Sequence, residues 1–114
     1  MMNPVYNTNI SYLCPVCADS TVSRFTVFDI PDEHTLGFVC HNNCSDNCVL
    51  IKKSRKRYVI TVECAECDRP HVYVLPVPKL WSKSLKTLRC PSTGAELVYI
   101  GSMPDIRFAM SQKR

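Results

Sequence analysis

The chain has 114 residues, 46% of them hydrophobic, with a net charge of +4 and eight cysteines. That length makes one domain or two very small units, and units so small bury too little surface to stand without disulfides, metals or partners. No stretch approaches the ~20 apolar residues needed to span a bilayer. The charge is mild and uneven, since five cations and no acid fall within residues 52–57.

In chain order, residues 1–10 have neither the basic n-region nor the apolar h-region of a secretory signal. Reduced thiols in an intracellular compartment, cytoplasm or nucleus, are therefore expected. Asn9-Ile10-Ser11 and Asn43-Cys44-Ser45 match the N-glycosylation acceptor pattern and keep secretion as the alternative. Short runs rich in Val, Ile, Phe and Tyr, bounded by Pro, Asn, Asp and Gly, predict strands at 10–13, 22–30, 36–39 and 49–51. After the basic run, strands are expected again at 58–62, 71–77, 85–88 and 97–100. Pro78, followed by Leu80, Trp81, Leu85 and Leu88, predicts about two turns of helix before the last two of these.

The doubled pattern is a repeat. Cys14 and Cys64, Cys17 and Cys67, and Cys40 and Cys90 each stand fifty positions apart, as do Ile10 and Ile60, and Val22 and Val72. Residues 10–51 and 58–101 read as two copies of one unit, joined by a basic connection at 52–57 and followed by a tail at 102–114.

Cys14-Pro15-Val16-Cys17 and Cys64-Ala65-Glu66-Cys67 each place two thiols on one side of an ion, and Cys40-His41-Asn42-Asn43-Cys44 supplies a second turn in the first copy. Structural zinc takes four nitrogen or sulfur ligands in a tetrahedron, at such spacings. The expected fold is a small, metal-stabilised, mainly β tandem zinc ribbon with two Zn2+ ions and one short helix in the second copy. A thiol redox pair, a disulfide framework and an iron–sulfur cluster are the alternatives. The redox pair lacks its long helix and the cluster lacks its ferredoxin spacing. The second copy is one cysteine short, because Gly94 stands fifty residues after Cys44 and Val98 fifty after Cys48. Either His71 completes its site with Cys64, Cys67 and Cys90, or Cys48 crosses over from the first copy. His34 and His41 are read as non-ligands.

Cys64-Ala65-Glu66-Cys67-Asp68-Arg69-Pro70-His71-Val72-Tyr73, with Cys90-Pro91-Ser92-Thr93-Gly94, resembles small, poorly characterised bacterial zinc-ribbon proteins. Those pair a Cys-Pro-x-Thr-Gly turn with Cys-x-x-Cys-x-x-x-His before an aromatic residue. The resemblance covers about 40 residues, with the two turns in reversed order and Asp68 where the usual glycine would be. It implies a zinc ribbon with His71 as a ligand, and no activity.

Catalysis is not expected. The sequence has no His-Glu-x-x-His, no deaminase signature, no nucleophile elbow, no phosphate loop and no dinucleotide fingerprint. Glu63 and Glu66 beside the thiols read as surface carboxylates, and no small-molecule substrate is implied. Lys52, Lys53, Arg55, Lys56 and Arg57 are the candidate nucleic-acid contacts, with Lys79, Lys83, Lys86 and Arg89 adding charge. The rival reading is a protein-binding adaptor with a rigid ribbon edge, anchored by Trp81 and the apolar tail from Met103 to Met110.

Overall fold

The computed structural model of the protein describes residues 6–44 and 47–112. Ser45 of the second glycosylation pattern and the last two residues of the tail lie outside the described residues. In chain order the structure contains β1 (Asn7–Leu13), β2 (Ser20–Thr26), a 3-10 turn (Val27–Asp29), β3 (Thr35–Phe38) and β4 (Val49–Ser54). The second half contains β5 (Arg57–Cys64), β6 (Arg69–Pro76), α1 (Val77–Leu80), β7 (Lys86–Arg89), β8 (Glu96–Gly101) and α2 (Met103–Ser111). The strands form by simple alternation. In β5, Tyr58, Ile60, Val62 and Cys64 are buried and the residues between them are not, the period-two pattern of a sheet with one face on a core.

The strands make two antiparallel four-stranded sheets, ordered β2-β1-β8-β7 and β3-β4-β5-β6. The repeat accounts for this order. Moving forward by one copy turns β1, β2, β3 and β4 into β5, β6, β7 and β8, which converts the first sheet into the second. Each copy therefore gives one hairpin to each sheet. Strands from different copies meet at each sheet's centre, with Ile10 opposite Ile100 and Ile60 opposite Ile51. The tandem, two-part, metal-stabilised β fold expected from the sequence is present in this interleaved form.

The sheets face each other across one continuous core that includes Ile10, Tyr12, Phe25, Phe38, Ile51, Tyr58, Ile60, Val98 and Ile100. Burying each such side chain contributes about 1.5–3 kcal/mol, and sharing lets two small units build a core that neither has alone. Trp81 belongs to this packing. Its indole N–H donates to the Tyr58 hydroxyl at 3.0 Å, and its ring lies 5.5 Å from Phe25 and 5.9 Å from Tyr58.

Three local expectations change. The helix after Pro78 is one turn, α1, because β7 must begin at Lys86 to pair with Ile100, and this takes Leu88 into a strand opposite Val98. The predicted strand 22–30 ends at Thr26. There the Thr26 hydroxyl accepts from Phe28 N–H, and the Thr26 N–H donates to the Asp29 carboxylate at 2.7 Å, a reciprocal cap that starts the 3-10 turn. The tail is a docked helix, α2. Ile106 is fully buried, and the Ser11 hydroxyl on β1 donates to the Met110 sulfur at 3.6 Å. Among the described residues no helix is long and apolar enough to cross a membrane.

The antiparallel registers place the turns after β1, β3, β5 and β7 at one end of the sandwich and the β4–β5 hairpin at the other. All the candidate metal-ligand cysteines lie at the first end and the basic run at the second. The molecule measures 45 × 30 × 26 Å.

Candidate metal centres

Three of the cysteine turns share one backbone design. The amide four residues after the leading cysteine donates back to that cysteine's carbonyl: Ala18 to Cys14 and Asp68 to Cys64 at 2.9 Å, Gly94 to Cys90 at 2.8 Å. Each closing residue has positive φ, +63° at Ala18, +54° at Asp68 and +79° at Gly94. The fourth turn, one residue longer between its thiols, closes from Asn43 to Cys40 with φ +59°. An alanine in the left-handed region costs about 1–2 kcal/mol that glycine avoids, while glycine adds unfolded-chain entropy worth about 0.5–1 kcal/mol. Ala18→Gly is therefore expected to raise the stability of the metal-loaded chain by up to about 1 kcal/mol, read from its denaturant midpoint. Asp68→Gly should gain less, since aspartate tolerates this conformation better.

These turns bring the candidate ligands into two groups, Cys14, Cys17, Cys40 and Cys44, and Cys64, Cys67, His71 and Cys90. Within each group the donor atoms all lie within 4.8 Å of one another. In the first, Sγ–Sγ separations are 3.2 Å for Cys14–Cys44, 3.4 Å for Cys40–Cys44 and 3.6 Å for Cys17–Cys40. In the second, Cys67 Sγ is 3.5 Å from Cys90 Sγ, and Cys90 Sγ is 3.5 Å from His71 Nε2. A tetrahedral ion with ~2.3 Å metal–sulfur bonds sets sulfurs about 3.8 Å apart, so both groups fit four-coordinate metal. The chain therefore offers two possible metal sites. Each group takes donors from both sheets, so an ion held in either would tie one sheet to the other.

The surroundings suit thiolates. Cys14 accepts from the N–H groups of Val16 and Cys17, and Cys40 accepts from Asn42 N–H. Burial opposes ionisation of Cys14, yet the Cys17 and Val16 amides and the neighbouring thiols hold it down to about 6. The Thr93 hydroxyl, outweighing burial and helped by the Thr93 and Ser92 amides, does the same for Cys90, to about 6. The same thiol contacts push Cys44 upward. Each site thus shares protons unevenly, and a metal ion replaces them on binding.

His71 fills the vacancy left by the second copy's missing cysteine, and Cys48 does not. His71 is buried on β6 opposite Val62. Cys48 is fully buried just before β4, in the core, with its N–H donating to Phe38 O at 2.8 Å. The register also corrects its partner in the repeat. Phe38 faces Val49 and Leu88 faces Val98, so beyond the third cysteine the offset falls from fifty to 98 − 49 = 49, and Cys48 matches Leu97. The first copy has Thr21 where the second has His71. Thr21 takes a supporting part, its hydroxyl 2.9 Å from His41 Nδ1 and accepting from His41 N–H at 3.2 Å. His41 and His34 lie outside both groups.

A tyrosine hydroxyl supports the residue before Cys40 and Cys90 in both copies, and the sequence did not reveal it. Tyr12 donates to Val39 O at 2.7 Å, and Tyr73 donates to Arg89 O. The accepting carbonyls are fifty residues apart, but the tyrosines come from non-equivalent strands, β1 and β6, and this hides the correspondence.

At the opposite end, Lys52 and Lys53 lie in β4, and Arg55 and Lys56 form a two-residue loop, with Arg55 at φ +60° and Ser54 opposite Arg57. Positive φ at the first loop position gives the twist that tight hairpins need. Lys53 Nζ reaches the Asp32 carboxylate at 2.9 Å and Lys52 Nζ reaches Glu33 at 3.8 Å. Among the described residues Arg55, Lys56 and Arg57 form no ion pair and are exposed. Val77 N–H donates to Lys56 O at 3.0 Å, which holds α1 and its exposed Lys79 beside this tip. No protein-family model matches the chain, and no curated protein or solved structure matches it.

Proposed function

We propose that the chain is a non-catalytic zinc protein of the reducing compartments that contacts nucleic acid through its β4–β5 hairpin. Zinc suits the donor sets, four thiols in one site and three thiols with an imidazole in the other, and the near-tetrahedral spacing of their atoms. A site with four protein ligands leaves no open position for a reacting water, so both ions act as fasteners. The observation that carries the nucleic-acid reading is the tip itself. Arg55, Lys56 and Arg57 are exposed at the hairpin turn with no ion pair among the described residues and with Lys79 nearby, while Lys52 and Lys53 are largely matched by Glu33 and Asp32. Such contacts bind phosphate and carry little sequence information.

A salt titration tests this. Each duplex phosphate contact adds about −0.9 to the slope of log affinity against log salt. Replacing Arg55, Lys56 and Arg57 by Ser is expected to flatten that slope by up to about three contacts with metal content unchanged. Replacing Lys52 and Lys53 should flatten it by less. Absence of DNA or RNA binding by the wild-type chain at low salt would sink the reading.

A further inference from the structure

An aromatic pair stands close to the basic tip. Lys56 O, at the tip, accepts from Val77 N–H, and α1 then runs four residues, about 6 Å, to Trp81. The Trp81 ring is fixed on its inner side by Phe25 and Tyr58. Tyr6, just ahead of β1, stacks on that ring with centroids 6.2 Å apart and planes 22° apart. Its backbone is pinned in turn, because Val27 N–H donates to Tyr6 O at 2.9 Å. Yet Tyr6 stays 54% exposed, and Phe28, on the same 3-10 turn, is 75% exposed. Cations flank the pair. Lys79 lies within α1 and Lys83 two residues past Trp81; both are exposed and neither forms an ion pair among the described residues. The loop carrying Lys83 is held by the buried Lys86, whose Nζ donates to Ser82 O at 2.7 Å. A polar groove of about 460 Å3 opens alongside, walled by Trp81, Lys83, Asn9, Ser102 and Asp105.

We propose that the nucleic acid taken by this end of the molecule is single-stranded, with an unpaired base stacking on the Tyr6–Trp81 pair while the hairpin tip, Lys79 and Lys83 hold the phosphates on either side. This rests on the nucleic-acid reading of the tip and adds the kind of strand. Stacking platforms set among cations are how proteins hold single strands without reading their sequence. A duplex keeps its base faces against one another and offers nothing to an open ring. Charge alone would favour the duplex, whose phosphates are denser, so a preference for the single strand isolates the contribution of the rings.

The probes are dT12, rU12 and a twelve-base-pair DNA duplex, each titrated into the metal-loaded wild-type chain. At least one single strand is expected to bind more tightly than the duplex. Trp81 is the one tryptophan of the chain, so its emission should be quenched in step with that binding. Tyr6→Ala should weaken single-strand binding roughly 5- to 150-fold, the range for losing one stacked base, with metal content and the salt slope unchanged. Tyr6→Phe should bind as the wild type does. Should Tyr6→Ala fail to take up metal, the strand preference and the Trp81 emission of the wild type decide alone. A duplex bound as tightly as both single strands, with Trp81 emission unmoved, overturns this proposal and leaves the role of the hairpin tip standing. No binding of any of the three at low salt overturns both.

Discussion

Removal of both metal ions by a chelator is expected to unfold the whole chain in one transition, with the two copies melting together. Either copy would melt separately if it held its own sheet, but each sheet here contains strands of both. Ile10 packs beside Ile100, and Ile60 beside Ile51, within one core. A structural zinc site supplies on the order of 10–16 kcal/mol in small metal-dependent folds, against a typical net stability of about 5–15 kcal/mol. Loss of even one ion therefore exceeds what the remainder can hold. Cys14→Ser should lower hydrogen-exchange protection at Ile60 as well as at Ile10, and Cys64→Ser should do the same in reverse. Exchange that collapses in one copy and persists in the other would show that the shared core contributes little coupling.

The second large effect concerns the fourth ligand of the second site. His71→Ala is expected to reduce bound metal from two ions to one, weakening that site by more than the about 10–100-fold lost when a group supporting a ligand is removed. His71→Cys should restore two ions, and in the cobalt-substituted protein it should add thiolate charge-transfer intensity as the site becomes all-thiolate. Cys48→Ala should keep both ions and lose roughly 1 kcal/mol of stability from a small core cavity. Two ions in His71→Ala and one in Cys48→Ala would reverse the assignment.

The repeat, the hairpins and the cysteine turns were legible because they are local. Cys-x-x-Cys spacing, β-branched runs and Pro or Asn punctuation act over a few residues, and the fifty-residue period follows from counting. What could not be read was which hairpin joins which sheet. Pairing β1 with β8 brings together residues some ninety positions apart, and Ile10 would look equally apolar beside any strand. His71 and Cys48 stayed open for the same reason, since both are buried and only the fold shows which one faces Cys90. The basic run looked like five equal charges, but strand β4 carries Lys52 and Lys53 to Glu33 and Asp32, acids about twenty residues earlier in the chain. The helix is shorter than its pattern suggests because Leu85 and Leu88 suit a helical face and a strand alike, and the pairing of β7 with β8 decides between them.

The exchange of the two sheets by the repeat has a consequence for origin and assembly. A single fifty-residue unit would own two hairpins and half of a metal-laced sandwich, with the inner edges of β1 and β4 unpaired and its apolar face open to water. Two such units related by a two-fold axis would close on each other, each lending a hairpin to the other's sheet. The present chain has that arrangement, with the loop of Arg55 and Lys56 as the covalent link. It is a swapped dimer written as one polypeptide. The two linked copies are not identical: one metal group has a fourth cysteine and the other a histidine, and one copy runs on into a hairpin and the other into a helix.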